Sequence, residues 1–369
     1  MNFDFSDDQK LLQTASRDYL EDNAQLSVNR QVLESGGGYS SDLWAGAAEM
    51  GWLGAVIPEE YGGAGFGYLE LVLIAEEIGR AIAPIPFTSS VGAVEAILLA
   101  GNSEQQADLL SSFADGSRIG TLALAEGRGV VREDNIQTSY RNGTVSGTKV
   151  AVSDGTIANT AVVAARSESG ISLAVVNLDG PGVARNEAVS IDPTRQCAQL
   201  TFENAEAQLL GEEGQGWGIL QTVLDRTAAI QAFEQVGGAQ RAMEITTEQI
   251  LGRYAFGRQI ASFQAIKHRM AELYAAIELA RSNAYYAAWA LANDADDLGI
   301  AAATARVSAS DAFNLSSQEM IQMHGGVGFT WEYDCHMFYR RAQHLGLMLG
   351  SASEWRDKLV DRLSASQAA

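Results

Sequence analysis

The chain has only two cysteines, Cys197 and Cys335, among 369 residues. They form no CxxC and fit no metal-ligand spacing, which argues against a disulfide framework and against a metal site. Histidine is also scarce, at four, with no His-x-x-x-His or carboxylate–histidine cluster, so no metal is expected. Only five prolines leave long helices intact. No apolar run approaches the roughly eighteen residues that a membrane span needs. The start, MNFDFSDDQK, has neither a basic nor an apolar segment, so no signal peptide is expected. These absences imply a soluble, cytoplasmic protein. Basic residues number 25 against 46 acidic ones, a net charge of −21. That balance excludes nucleic acid, because phosphate backbones need a basic surface. Any site for an anionic group must be a local cluster of Arg, Lys and backbone amides working against the overall field.

The hydrophobic content of 47% is enough to bury a large interior, and the length implies two or three packed units. Residues from about 4 to 117 read as helices. Phe5, Leu12, Ser16 and Leu20 fit one face, with Ser6 before Asp7-Asp8 as a cap. Further helices are expected at Leu69–Ala81 and Val91–Leu110. From about 118 to 212 the pattern changes to short alternating runs broken by Gly, Asn and Asp, with Asn142-Gly143 a hairpin signal. From 213 onward long helical periods return, interrupted at Tyr254–Gly257, Asn293–Gly299 and Gly325–Gly328. The expected fold class is α+β: a helical domain over 1–117, a β-domain over 118–212 and a helical bundle over 213–369.

The stretch Leu251 to Met270, LGRYAFGRQIASFQAIKHRM, organises the bundle. An aromatic-glycine turn, Tyr254 to Gly257, separates two apolar periodic runs with steps of three and four. Arg253, Arg258 and Gln264 are side chains that no core requires, so they belong to a solvated helix end or to a ligand.

At these residues the chain resembles the acyl-CoA dehydrogenase family. Arg253-x-x-Phe256-Gly257-x-x-Ile260-x-x-x-Gln264 is similar to the hairpin between that family's first two carboxy-terminal helices. Gln322-Met323-His324-Gly325-Gly326-Val327-Gly328-Phe329 is similar to its QxxGGxGF turn, and Pro58 to Gly65 to its amino-terminal PxxYGGxG loop. The resemblance implies an amino-terminal helical domain, a middle β-domain, a carboxy-terminal helical bundle and FAD as cofactor. In the family the pyrophosphate and adenine of one subunit's FAD are reached by a neighbour. Arg253, Phe256, Gln264, Gln322, Gly325 and Gly326 match those positions. Arg253 would meet pyrophosphate as a fixed-charge donor, and the glycines would let the backbone approach the nucleotide closely.

The flavin end departs from the family. The run resembling AVTEPGAGSD reads Ala123 to Val130 here, without the proline or the Ser-Asp pair. The family's W-x-T-N strand corresponds to Ala151 to Asp154, so the covering Trp is an alanine. Ser153 keeps a hydroxyl where the family places Thr, and is otherwise a strand-end serine. Most members carry a catalytic Glu in a YEGT-like segment. Here that segment is Met348 to Ser351 and the position is Leu349. A second base position corresponds to Thr227, followed by Ala228. By elimination Glu234, in AFEQVGGAQ, is the candidate general base, set among apolar neighbours that suit such a role. Its other reading is a packing or interface Glu paired with an Arg. Asp225 ranks below it, because Arg226 and Asp225 read as an exposed pair. EQVGGAQRA and TWEYDCH are similar to a subset that includes steroid side-chain dehydrogenases.

The resemblance therefore implies α,β-dehydrogenation of a bulky, branched or steroid side-chain acyl-CoA, with electrons passed to an electron-transfer flavoprotein. The alternative is a catalytically silent subunit that completes the FAD site of a catalytic partner. Either way a homo- or hetero-tetramer with a related dehydrogenase subunit is expected.

Overall fold

A computed structural model describes residues 5–368. Helices come first: α1 (Asp7–Asn23), α2 (Leu26–Glu34), α3 (Ser41–Glu49), α4 (Tyr68–Arg80), α5 (Phe87–Ala100) and α6 (Ser103–Ala114). Strands follow: β1 (Gly120–Ala123), β2 (Ser139–Arg141), β3 (Thr144–Ser153), β4 (Thr160–Arg166), β5 (Ile171–Asn177), β6 (Val183–Ala188) and β7 (Cys197–Leu210). The chain then returns to helix with α7 (Gly216–Gly252), a small hairpin of β8 (Tyr254–Ala255) and β9 (Arg258–Gln259), α8 (Gln264–Ala292), α9 (Leu298–His324), α10 (Cys335–Met348) and α11 (Ala352–Ala368). The order is helix, sheet, helix, as the periodicity predicts. Among the described residues no helix is long and apolar enough to cross a membrane.

The local signals hold where they rest on caps and turns. Ser6 accepts from the Gln9 amide while the Gln9 side chain accepts from the Ser6 amide, a reciprocal capping box. Asn142 and Gly143 both take positive φ, 49° and 76°, which a two-residue turn between twisted strands requires. The single helix expected over 91–110 is instead two. Gly101 stops α5, and Asn102 starts α6 with its own capping box to Gln105. The runs at 160–165 and 171–176 pair antiparallel as β4 and β5. The strand β6, polar on alternate and adjacent positions, carries no apolar signal; pairing with β7 alone makes it a strand.

The chain packs as two compact units. One comprises the chain up to Arg30, Tyr68–Ala83 and Ala228–Ala369; the other comprises Gln31–Gly67 and Pro84–Thr227. In the second unit the strands run β1-β4-β2-β3-β7-β5, with β4 also pairing β5, so five strands close into a circuit with β1 and β6 outside it. Its interior holds Lys149, whose ammonium donates to Leu124 O at 3.0 Å and to Glu126 Oε1 at 2.7 Å. Burial pulls this lysine down to about 8, against the opposing pull of Glu126. Glu126 also receives the Gln137 and Thr138 amides, at 2.7 and 2.9 Å. The carboxylate is thereby committed to structure.

In the first unit, α4 and α7 cross in backbone contact. A Cβ on Gly79 would collide with the Glu234 carbonyl, and one on Gly237 with the Glu76 carbonyl. Only glycine fits at both points of the crossing. Around it, Glu76 takes Arg281, Glu77 takes Arg17, and Glu244 takes Arg80 through two bonds of 2.9 and 2.8 Å. Deeper still lies Arg306 on α9, fully buried. It donates to Gln235 Oε1 at 2.9 Å, to Leu345 O at 2.6 Å and to Gly350 O at 3.3 Å. Burial lowers its pKa to about 10.

Candidate functional site

The hairpin between α7 and α8 is exposed. Phe256 sits at its tip with positive φ and 95% of its surface open, its ring edge-on to Phe263. Arg258 lies over that same ring at 4.0 Å. Arg253, at the end of α7, donates from Nη1 to His324 O at 2.7 Å. His324 ends α9, and Gly325 follows with φ of 69°. A Cβ at Gly325 would lie 3.6 Å from Arg253 Nη1. Thus Arg253 and the glycine turn, 71 residues apart in sequence, form one cluster. Gln322, in the last turn of α9, and Gly326 are exposed beside it, and Gln264 at the start of α8 is exposed too.

Below the turn, the His324 ring is buried. Its Nδ1 lies 2.6 Å from Met320 O, and burial lowers its pKa. Tyr333 packs edge-on against it at 6.0 Å. Leu26, Gln249, His324, Tyr333 and Cys335 line a cavity of about 360 Å3. Past the turn, His336 stacks on Trp331 at 4.8 Å, and its Nε2 lies 3.3 Å from Trp331 O. Its role is packing.

The donor set of this cluster is one that the nucleotide half of FAD would require. It offers an exposed guanidinium, and its glycine turn has two different reasons to be glycine. Gly325 needs its positive φ, but a Cβ at Gly326 would meet nothing within 4 Å. Internal packing therefore leaves the space over Gly326 open for a ligand to approach the backbone.

The residues matched to the flavin ring end belong to the other unit. Ser153 closes β3 and is buried; its carbonyl accepts from Thr121 Oγ1 at 2.7 Å. Asp154, next to it, is bound at Oδ2 by Arg195 Nη2 at 2.7 Å, and its carboxylate also takes Ser89 Oγ. Both members of this ion pair are buried. These groups are committed to the chain itself and offer a weaker fit than the exposed cluster.

The sequence offers three positions for a base. Thr227 is buried and donates to Val223 O at 2.7 Å, a helix-internal bond. Leu349 caps α10, and its carbonyl accepts from Trp355 Nε1 at 3.0 Å. Glu234 is 0% exposed, at the α4 crossing, with Arg341 Nη1 4.0 Å from Oε1. Along α7 it lies about 27 Å from Gly252, at 1.5 Å per residue, so its own chain does not bring it to the hairpin cluster. Asp225 is buried, and Arg226 reaches Glu95 at 3.5 Å. Asp225 is therefore not the exposed group expected from sequence, and Arg226 turns to a buried carboxylate that α5 presents. Among the described residues, no group of three or more His, Cys, Asp or Glu could hold a metal ion.

Comparison with known proteins agrees with these motifs. The family model described as "Acyl-CoA dehydrogenase, N-terminal domain" matches residues 6–117, and "Acyl-CoA dehydrogenase, C-terminal domain" matches residues 214–363. Acyl-CoA dehydrogenase IpdE2 of Mycobacterium tuberculosis is 32% identical, over 94% of this chain and 95% of the relative. Acyl-CoA dehydrogenase FadE27 of the same organism is 30% identical, over 85% and 86%. Among solved structures, a variant of the Tcur3481–Tcur3483 steroid ACAD superposes with a TM-score of 0.88 at 29% identity, covering 98% of this chain and 99% of that one. The ChsE4–ChsE5 complex from Mycobacterium tuberculosis gives 0.90 at 25% identity, with 99% of each chain covered. By sequence, fold and motif, this chain belongs to the acyl-CoA dehydrogenase family.

Proposed function

We propose that this chain is the non-catalytic subunit of a heteromeric acyl-CoA dehydrogenase. It completes the nucleotide half of an FAD site whose flavin ring and base belong to a related partner subunit. The observation that carries the reading is the fate of the base positions. A thioester α-proton needs a carboxylate within hydrogen-bond reach of the substrate. Two of the three candidate positions are Thr227 and Leu349, which cannot serve. The third, Glu234, is enclosed between α4 and Arg341. The exposed Arg253–Gly325–Gly326 cluster supports the complementary half of the reading.

Within such an assembly Arg253 would neutralise pyrophosphate charge, Gln322 and Gln264 would donate amide hydrogen bonds, and Phe256 would cover an apolar face of the nucleotide. Bound FAD supplies the acceptor for a hydride from the substrate β-carbon, and an electron-transfer flavoprotein would take the electrons onward. The substrate is an acyl-CoA with a bulky acyl group. The neighbour Tcur3481–Tcur3483 is named a steroid ACAD, which supports a steroid side-chain thioester. ChsE4–ChsE5 is a complex of two differently named chains, which supports the heteromer.

The test is to purify the chain alone and with a co-expressed dehydrogenase partner, and to measure bound flavin and its reduction by acyl-CoA. Flavin retention and reduction are expected only in the assembly, and Arg253→Ala in this chain should weaken retention about tenfold or more, on the order of one charged hydrogen bond. A chain that alone holds FAD and reduces it with acyl-CoA would overturn the reading.

A further inference from the structure

One side chain outside every family motif is tied to the nucleotide cluster. Arg30 lies on α2, some three hundred residues upstream of the glycine turn. Its Nη1 donates to Trp331 O at 3.0 Å, and its Nη2 donates to Glu332 O at 3.4 Å and to Asp334 Oδ1. All three acceptors fall within four residues of irregular chain between the turn and α10. A planar guanidinium can hold several acceptors in one fixed arrangement; an ammonium cannot.

The held segment is coupled inward. It carries Tyr333, whose ring packs against the His324 ring. The His324 carbonyl receives Arg253 Nη1. Leu26, one turn before Arg30, lines the same cavity as His324 and Tyr333. The sequence of contacts is therefore Arg30, the 331–334 backbone, Tyr333, His324 and Arg253. His336 and Arg340 flank the Trp331 ring, and His336 Nε2 lies 3.3 Å from its carbonyl.

We propose that Arg30 is a positioning residue for the FAD nucleotide. It acts through the 331–334 segment to fix the carbonyl that aims Arg253. The inference rests on the nucleotide-site reading above. Loss of Arg30 should leave the fold intact while loosening this segment and weakening FAD.

The experiment compares Arg30→Ala, Arg30→Lys, Asp334→Asn and Arg253→Ala in the purified assembly. FAD dissociation constants come from flavin fluorescence, and amide exchange over 329–334 from mass spectrometry on the flavin-free protein. Both Arg30 variants should bind FAD about tenfold more weakly and exchange faster over 329–334 but not over α7 or α9. Asp334→Asn should show the same pattern more weakly, because it keeps the shape and loses the charge. If Arg253→Ala weakens FAD while Arg30→Ala does not, the positioning role fails and the nucleotide site stands. If Arg30→Lys restores full affinity, charge alone suffices and the role again fails. If none of the variants affects FAD, the nucleotide-site reading itself falls.

Discussion

Replacing Glu234 by Gln separates a base from a packing group. The substitution keeps the shape and leaves an amide where the carboxylate was. Arg341, 1% exposed, would then lose its charged neighbour at 4.0 Å, while keeping its bond to Ala83 O at 3.0 Å. Removing one member of a buried pair costs about 3–5 kcal/mol. The long separation and the retained carbonyl place this case at or below the lower end, about 2–3 kcal/mol. For a unit of this size each kcal/mol moves the midpoint by about 2–4 °C. The thermal midpoint should therefore fall by about 4–12 °C, read by calorimetry or circular dichroism. Stopped-flow flavin reduction by acyl-CoA in the assembly should stay within about twofold of the parent, since general-base catalysis worth ~10²–10⁴ would not be touched. An unchanged midpoint together with a hundredfold slower reduction would refute this reasoning and make Glu234 the base.

Two glycines should respond in opposite ways. Gly79→Ala forces a Cβ into the Glu234 carbonyl and should cost at least the ~1–3 kcal/mol of core overpacking, seen as a lowered midpoint or insoluble protein. Gly326→Ala meets no atom within 4 Å, so the midpoint should hold while FAD retention in the assembly falls. Lys149, lowered to about 8 by burial, gives a pH signature. The unfolded lysine titrates near ~10.4, so the unfolded state binds more protons between about pH 8 and 10. Stability should therefore rise with pH across that window, and Lys149→Met should flatten the rise in urea titrations.

What the sequence disclosed depended on how local the cause was. The helix–sheet–helix order, the Ser6 cap and the Asn142-Gly143 turn follow from neighbours in the chain, and the residues alone predict them. Gly101-Asn102 carried a stop and a cap, yet the apolar run over 91–110 hid them. Strand β6 exists only because β7 lies beside it. At the site, the motif signalled Arg253 and the glycine turn together, but not that His324 would aim the arginine through its backbone. Arg30 had no signal, because two carbonyls and a carboxylate that it binds come from a distant part of the sequence. The apolar surroundings of Glu234 announced its burial; Arg341 and the glycine crossing that enclose it arise from packing.

The buried guanidinium of Arg306 has a consequence for the order in which the bundle assembles. A cation stripped of water before its acceptors are present would be costly. Besides Ser310 on its own helix, its acceptors are Gln235 on α7, Leu345 in α10 and Gly350 just beyond it. The middle of α9 therefore cannot dry until the end of α10 has turned and presented its carbonyls. Those carbonyl dipoles, together with the charge of Glu354, offset the buried cation. The two helices should accordingly gain and lose amide protection as one cooperative unit, with the α7 contact joining them.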